Sequence, residues 1–166
     1  ACPRARNELL LHGVPRDRIV LTGIPVRPAF ESIAAVKNPS PGEATRVLVT
    51  SGGFGVGPVR SIARSFVGVP RVQVTVVCGT STSLAEKLRS DDELTGVDLR
   101  VLGFERDMPA RIAEAHVVVG KAGGLTVTET LTAGRPMLVV GAVPGNEKCN
   151  EAFVVGGNAG LAVDPR

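Results

Sequence analysis

The chain has no tryptophan, no tyrosine and only five phenylalanines among its 166 residues. Its core must therefore rest on Val, Leu, Ile and Ala, the residues that fill buried parallel sheets. The same shortage argues against the aromatic platforms on which single-stranded nucleic acid stacks. Cysteine is sparse: Cys2, Cys78 and Cys149 form an odd set without metal-type spacing, which points to reduced thiols in a cytosolic setting. The two histidines, His12 and His116, lack ligand-spaced neighbours and read as structural. No apolar run approaches the length of a membrane span, and no signal peptide is visible. The net charge is only +3 and the charges are scattered, which disfavours nucleic acid as a partner. The densest basic stretch, Arg4, Arg6, Arg16 and Arg18, suits either a solvated helix face or an acidic membrane surface.

What is present fits one domain with a real core: hydrophobic residues make up 43% of the chain, too many for disorder. Residues 7–12 read as a helix end closed by Gly13, residues 18–22 as a short strand, and Gly23-Ile24-Pro25-Val26-Arg27-Pro28 as a stiff connector. Asn38-Pro39-Ser40-Pro41-Gly42 marks the best boundary, so residues 1–44 are expected to form an inter-domain segment and 45–166 the compact unit. From there strands at 46–50, 72–78, 98–102, 116–119, 136–140 and 161–163 alternate with helices near 58–67, 82–90, 107–115, 125–133 and 147–155. That alternation predicts an α/β fold, a Rossmann-like parallel sheet with helices on both faces. The chain starts without Met and stops at Asp164-Pro165-Arg166, directly after the last expected strand, so a piece of a longer protein is expected.

Two glycine clusters stand at strand exits. Gly52, Gly53, Gly55 and Gly57, with Phe54 and Val56 between them, follow the 46–50 strand and precede Pro58. Gly120-Lys121-Ala122-Gly123-Gly124-Leu125-Thr126 follows the 116–119 strand. Bare backbone at the carboxyl ends of parallel strands, with helix starts behind it, suits a phosphate and hence a nucleotide. The first loop lacks the third glycine of the dinucleotide fingerprint and the Gly-Lys-Ser/Thr ending of a Walker loop; a ligand-free tight turn is the other reading. Thr126 and Glu129 are spaced as a capping box, so Glu129 either caps its helix or accepts hydrogen bonds from a ribose diol. Phe104, followed by Glu105, either plugs the core or lies against a base. Pro144-Gly145-Asn146-Glu147-Lys148-Cys149-Asn150 is a polar loop at a helix start whose side chains suit sugar hydroxyls.

As a set, the connector 23–28, the loops 52–58 and 103–108, the stretch 121–129 and the loop 144–150 resemble the nucleotide-sugar-binding C-terminal half of a GT-B glycosyltransferase. The group is that of monogalactosyldiacylglycerol synthase and processive diacylglycerol glucosyltransferase, related to the N-acetylglucosaminyltransferase that makes lipid II. The resemblance implies UDP across the carboxyl edge of the sheet. Uracil would sit by Phe104 and the backbone of Glu105 and ribose by Glu129, with Met108 also among the nucleotide-binding residues. The diphosphate would meet Gly52 to Gly57 with Gly123, Gly124, Leu125 and Thr126, and the donor sugar would face Asn146, Glu147 and Asn150. Family members often carry Gln at the position of Asn146, so sugar preference does not transfer. The resemblance further implies an inverting transfer of a hexosyl group from a UDP-sugar to a lipid-linked acceptor, without a metal; no Asp-x-Asp is present. No catalytic residue is expected in this chain, because the general base belongs to an N-terminal acceptor domain that precedes Ala1. A cytoplasmic enzyme peripheral to the inner membrane face is implied. A nucleotide-sugar epimerase-like domain or a Rossmann-type oxidoreductase half are the alternatives.

Overall fold

The expected alternation is realised as a single sheet. The computed structural model describes residues 2–35, 37–53, 55, 57–141 and 146–163. Strands β1 (Thr45–Thr50), β2 (Val72–Val77), β3 (Asp98–Leu102), β4 (Val117–Gly120), β5 (Met137–Val140) and β6 (Gly160–Val163) lie in the order β3-β2-β1-β4-β5-β6. All five pairings are parallel. Helices α1 (Pro3–Leu11) and α2 (Pro28–Glu31) precede the sheet, and α3 (Val59–Arg64), α4 (Thr82–Arg89), α5 (Met108–Glu114), α6 (Gly124–Thr132) and α7 (Asn146–Gly156) connect its strands. Helix α3 is shorter than the 58–67 expected, with Pro58 as its cap.

Successive side chains of a strand point to opposite faces, and β1 distributes its residues accordingly. Val47 and Val49 enter a core with Val59 and Ala63 of α3 and Ala85 and Leu88 of α4. Leu48 enters a second core with Phe30, Ile112 and Val118. Ala122, Val127, Met137, Val139 and Val154 make a third beneath α6 and α7. Each fully buried Val, Leu or Ile contributes roughly 1.5–3 kcal/mol relative to exposure, which offsets conformational entropy lost on folding.

Two expectations for the N-terminal part are corrected. Residues 18–22 are not a strand: Arg16–Arg18 form a 3-10 turn, and the residues after it join no ladder. Val20 is exposed, and β-branched residues make a strand only where a pleated, half-buried surface receives them. The connector is not merely stiff, since it ends in α2, whose Phe30 is 0% exposed and packs on Leu48 and Ile112. Arg135, 5% exposed, donates from its guanidinium to the carbonyls of Ala34, Ile112, Ala113 and Ala133 at 2.8–3.1 Å. Burial holds its pKa below the ordinary value; the negative ends of α5 and α6 stand in for a carboxylate partner. The loop 38–42 thus joins two parts of one packed core.

Candidate functional site

In the observed order the chain reverses direction across the sheet at β1, with β2 and β3 on one side and β4 to β6 on the other. A crevice opens where such a reversal occurs, beyond the carboxyl ends of the strands. The loops that flank it leave β1 and β4, and these are the two glycine corners. The strand ends are close: a Cβ on Gly120 would lie 2.6 Å from Thr50 Oγ1 and 2.8 Å from Thr50 O.

A cleft of about 210 Å³ occupies this point, and both corners line it through Gly52, Gly53, Leu125 and Thr126. Its apolar floor includes Val77, Met108 and Ile112, and Phe104, Glu105 and Glu129 complete the walls. In the first corner Gly52 takes φ +67, and neither Gly52 nor Gly53 has an atom within 4 Å of where a Cβ would stand. The Gly53 carbonyl accepts from Thr80 N–H at 3.0 Å and Thr80 Oγ1 at 2.9 Å, while the N–H groups of Gly52 and Gly53 have no partner among the described residues.

In the second corner Gly123 is the cap of α6, extended at φ −62 and ψ 140. The first helical bond runs from Val127 N–H to Gly123 O, leaving the N–H groups of Gly124, Leu125 and Thr126 without partners among the described residues. A helix start of this kind carries roughly half a positive charge and is an anion site. Gly123 is a correction, because its N–H donates to Lys121 O at 2.9 Å and so is no donor to a ligand.

The capping-box reading also fails. The helix begins at Gly124, so Thr126 is its third residue and not its cap, and Glu129 lies a turn inside. The Glu129 carboxylate accepts no hydrogen bond among the described residues and stands on the cleft wall. Burial pushes its pKa above the ordinary glutamate value, and the charge of Arg27 pulls it back. Phe104 does not plug the core: it is 66% exposed and borders the cleft. The Glu105 carboxylate accepts from Asp107 N–H at 2.8 Å and pairs with Arg111 at 3.6 Å, while its main-chain N–H and C=O stay unpaired among the described residues.

Other expected site residues stand outside this cleft. A Cβ on Gly55 would run into Ser81, and one on Gly57 would touch Lys121. Gly124 faces Ile24 and Asn150. Glu147 lies 3.5 Å from Lys121, and Asn150 Nδ2 donates to Ala122 O at 2.8 Å, so both brace the second corner. Phe54 and the side chain of Asn146 lie outside the described residues. Helix α3 adds nothing to the cleft; its cap Pro58 faces Gly141. Sequence reasoning missed Thr50, Val77, Gly79 and Ile112 as lining residues. Gly79, a glycine at the exit of β2, was a signal left unused.

The comparisons with known proteins show the family and the fold. Residues 47–157 match the model of the glycosyltransferase family 28 C-terminal domain. The chain is 32% identical over 96% of its length to processive diacylglycerol beta-glucosyltransferase of Bacillus subtilis, covering 43% of that protein. It is 31% identical over 99% of its length to probable monogalactosyldiacylglycerol synthase 2 of Oryza sativa, covering 38% of that protein; the chain thus spans about two fifths of these relatives. Among solved structures, MurG of Acinetobacter baumannii superposes with a TM-score of 0.64 at 20% identity, over 82% of this chain and 41% of MurG, which places the fold with the GT-B enzymes. UDP-GlcNAc 2-epimerase of Neisseria meningitidis superposes at 0.63 and 17% identity, over 98% of this chain and 47% of that one. With the family model matched across β1 to α7 and lipid glycosyltransferases aligned along nearly its whole length, this chain belongs to the glycosyltransferase family 28 C-terminal domain family.

Proposed function

We propose that the cleft is the donor site of a glycosyltransferase and holds the UDP part of a UDP-sugar. One observation carries the reading: Gly52 and Gly53 converge with the free N–H groups at the start of α6 on one crevice at the sheet's reversal point. Main-chain donors and the helix dipole suit a pyrophosphate. Glu129, without a hydrogen-bond partner among the described residues, suits the two vicinal hydroxyls of a ribose. Phe104 offers a face for the base, and the unpaired main chain of Glu105 can read its polar edge. Glu147 and Asn150, through Lys121 and the Ala122 carbonyl, brace the second corner beside the diphosphate.

In the whole enzyme, a hydroxyl of a lipid-linked acceptor attacks the anomeric carbon from the side opposite UDP. The bond from that carbon to the diphosphate oxygen breaks, and the configuration inverts. The acceptor proton passes to a base from the domain that holds the acceptor, outside this chain. Negative charge gathering on departing UDP is met by the α6 N–H groups, which are fixed before the reaction, so this half needs no metal. A lipid-borne acceptor would bring the transfer to a membrane surface. Family membership favours this reading over the epimerase and oxidoreductase alternatives.

Calorimetric titration with UDP tests the proposal, with GDP and dTDP as competitors. UDP should bind best, and Glu129→Ala should lose about 1.5–3 kcal/mol, as expected for a charge-assisted hydrogen bond. Failure of UDP to bind overturns the donor site; unchanged affinity in Glu129→Ala overturns the ribose assignment alone.

A further inference from the structure

Thr50 is the last residue of β1 and stands opposite Val77 of β2 and Gly120 of β4. Two residues on from Leu48, it points to the same face of the sheet. That is the face of Val77, Met108 and Ile112, on which the cleft opens. Thr50 is only 8% exposed, yet it lines the cleft. Its Oγ1 lies 2.6 Å from where a Cβ on Gly120 would stand, so the hydroxyl uses space that only a glycine leaves open. Neighbouring hydroxyls are committed to carbonyls. Ser51 Oγ donates to Val77 O at 2.9 Å, Thr80 Oγ1 to Gly53 O at 2.9 Å and Thr128 Oγ1 to Gly124 O at 2.8 Å. Thr50 Oγ1 has no hydrogen bond among the described residues. Burying a hydroxyl unpaired is unfavourable, and valine would fill nearly the same volume without that cost. A threonine at this point is accounted for by a group that enters the cleft.

We propose that the Thr50 hydroxyl is a further binding group of the cleft, which donates to an anionic oxygen of the diphosphate. This rests on the donor-site reading above. Position decides which part of the ligand the hydroxyl meets. Gly52 and Gly53, with their free N–H groups, follow Thr50 directly along the chain. Gly120, paired with Thr50, leads into the second corner and the free N–H groups at the start of α6. The hydroxyl therefore stands between the two sets of main-chain donors. Phe104 and Glu105, the wall for the base, follow β3, which lies two strands away from β1. A neutral hydroxyl that donates to a charged oxygen makes one of the stronger hydrogen bonds. Bond formation also gives the buried group the partner it lacks in the empty cleft.

The test titrates the 166-residue chain with UDP and with uridine by NMR, beside Thr50→Val, Thr50→Ala and Thr50→Ser. Thermal unfolding confirms folding; Thr50→Ala carries the comparison should the extra methyl of Thr50→Val crowd Gly120. Thr50→Val and Thr50→Ala should weaken UDP by roughly tenfold to a hundredfold and leave uridine unchanged. Thr50→Ser keeps the hydroxyl and should bind UDP within about threefold of the unsubstituted chain. An equal loss for uridine and UDP means that Thr50 only shapes the floor, and overturns the inference. So does a loss in Thr50→Ser as large as that in Thr50→Ala, which assigns the effect to the methyl group. UDP binding untouched by all three substitutions overturns it as well, with the donor site intact. If the unsubstituted chain binds neither ligand, the donor site itself falls, and this inference with it.

Discussion

Gly79→Ala probes the first glycine corner through a residue that belongs to neither corner. Gly79 has φ +59, and a Cβ there would lie 2.5 Å from the Gly53 carbonyl oxygen and 2.6 Å from that of Gly52. Both obstacles are backbone, so the loop must move. The left-handed conformation costs an alanine about 1 kcal/mol. Displacing the Gly53 carbonyl disturbs its bonds from Thr80 N–H and Oγ1, at about 0.5–1.5 kcal/mol each. Together these give a loss of roughly 2–4 kcal/mol in folding stability. Gly96 is the internal control, with φ +90 and open space around its Cβ position; Gly96→Ala should lose only the backbone part, about 1 kcal/mol. Urea denaturation reads the two values, and calorimetry with UDP reads the displaced loop as weaker binding in Gly79→Ala only. Equal destabilisation of the two variants would falsify the claim that Gly79 buttresses the Gly52–Gly53 corner.

Phe104→Ala should leave the urea midpoint nearly unchanged, since the ring is largely exposed, but weaken uridine by about 1–3 kcal/mol if the base stacks on it; an unaltered affinity removes Phe104 from the site. Glu129→Gln should stabilise the ligand-free chain near neutral pH. The folded pKa of Glu129 is raised above its ordinary 4.5, so the fold is most stable with this carboxyl protonated and loses stability as pH rises from 4.5 through the raised value. The gain in Glu129→Gln should therefore be absent at about pH 4 and present at about pH 7, by urea midpoints at both. Phe30→Ala should cost about 3–5 kcal/mol, as for a buried core phenylalanine, and a chain beginning at Thr45 should lose the same contacts; equal midpoints for Phe30→Ala and the unsubstituted chain would detach the connector from the core.

The sheet was readable from the sequence because its strands are short stretches rich in aliphatic residues with glycine or proline soon after, some unbroken as at Val47-Leu48-Val49 and Val117-Val118-Val119, others alternating as in Val72-Gln73-Val74-Thr75. The two glycine corners were readable for the same reason: bare backbone is conspicuous. What escaped was long-range packing. Phe30 sits in the short α2 that follows the proline-rich connector, where nothing local says that it will join a core with Leu48 and Ile112. Residues 18–22 carry strand propensity but receive no partner strand. The Thr126–Glu129 spacing imitates a cap, but Gly123 is the residue that takes extended geometry, and the helix begins too early for the box to form. The expected site residues that stand outside the cleft, Gly55, Gly57, Glu147 and Asn150, neighbour it in sequence; Gly55 and Gly57 pack toward Ser81 and Lys121, and the side chains of Glu147 and Asn150 turn to Lys121 and the Ala122 carbonyl.

The amides left open at Gly52, Gly53 and the first turn of α6 belong to the polypeptide itself, not to any side chain. A grip of that kind is blind to which nucleoside or hexose is attached, and single substitutions elsewhere on these loops leave it intact. With a nucleotide-sugar in the cleft, as proposed, discrimination among donors would reside in the side chains at either end, Phe104 and Glu129 at one and the α7 start at the other. A change of substrate over evolutionary time, or escape from a competitive inhibitor, should appear at those ends while the glycines between them stay fixed.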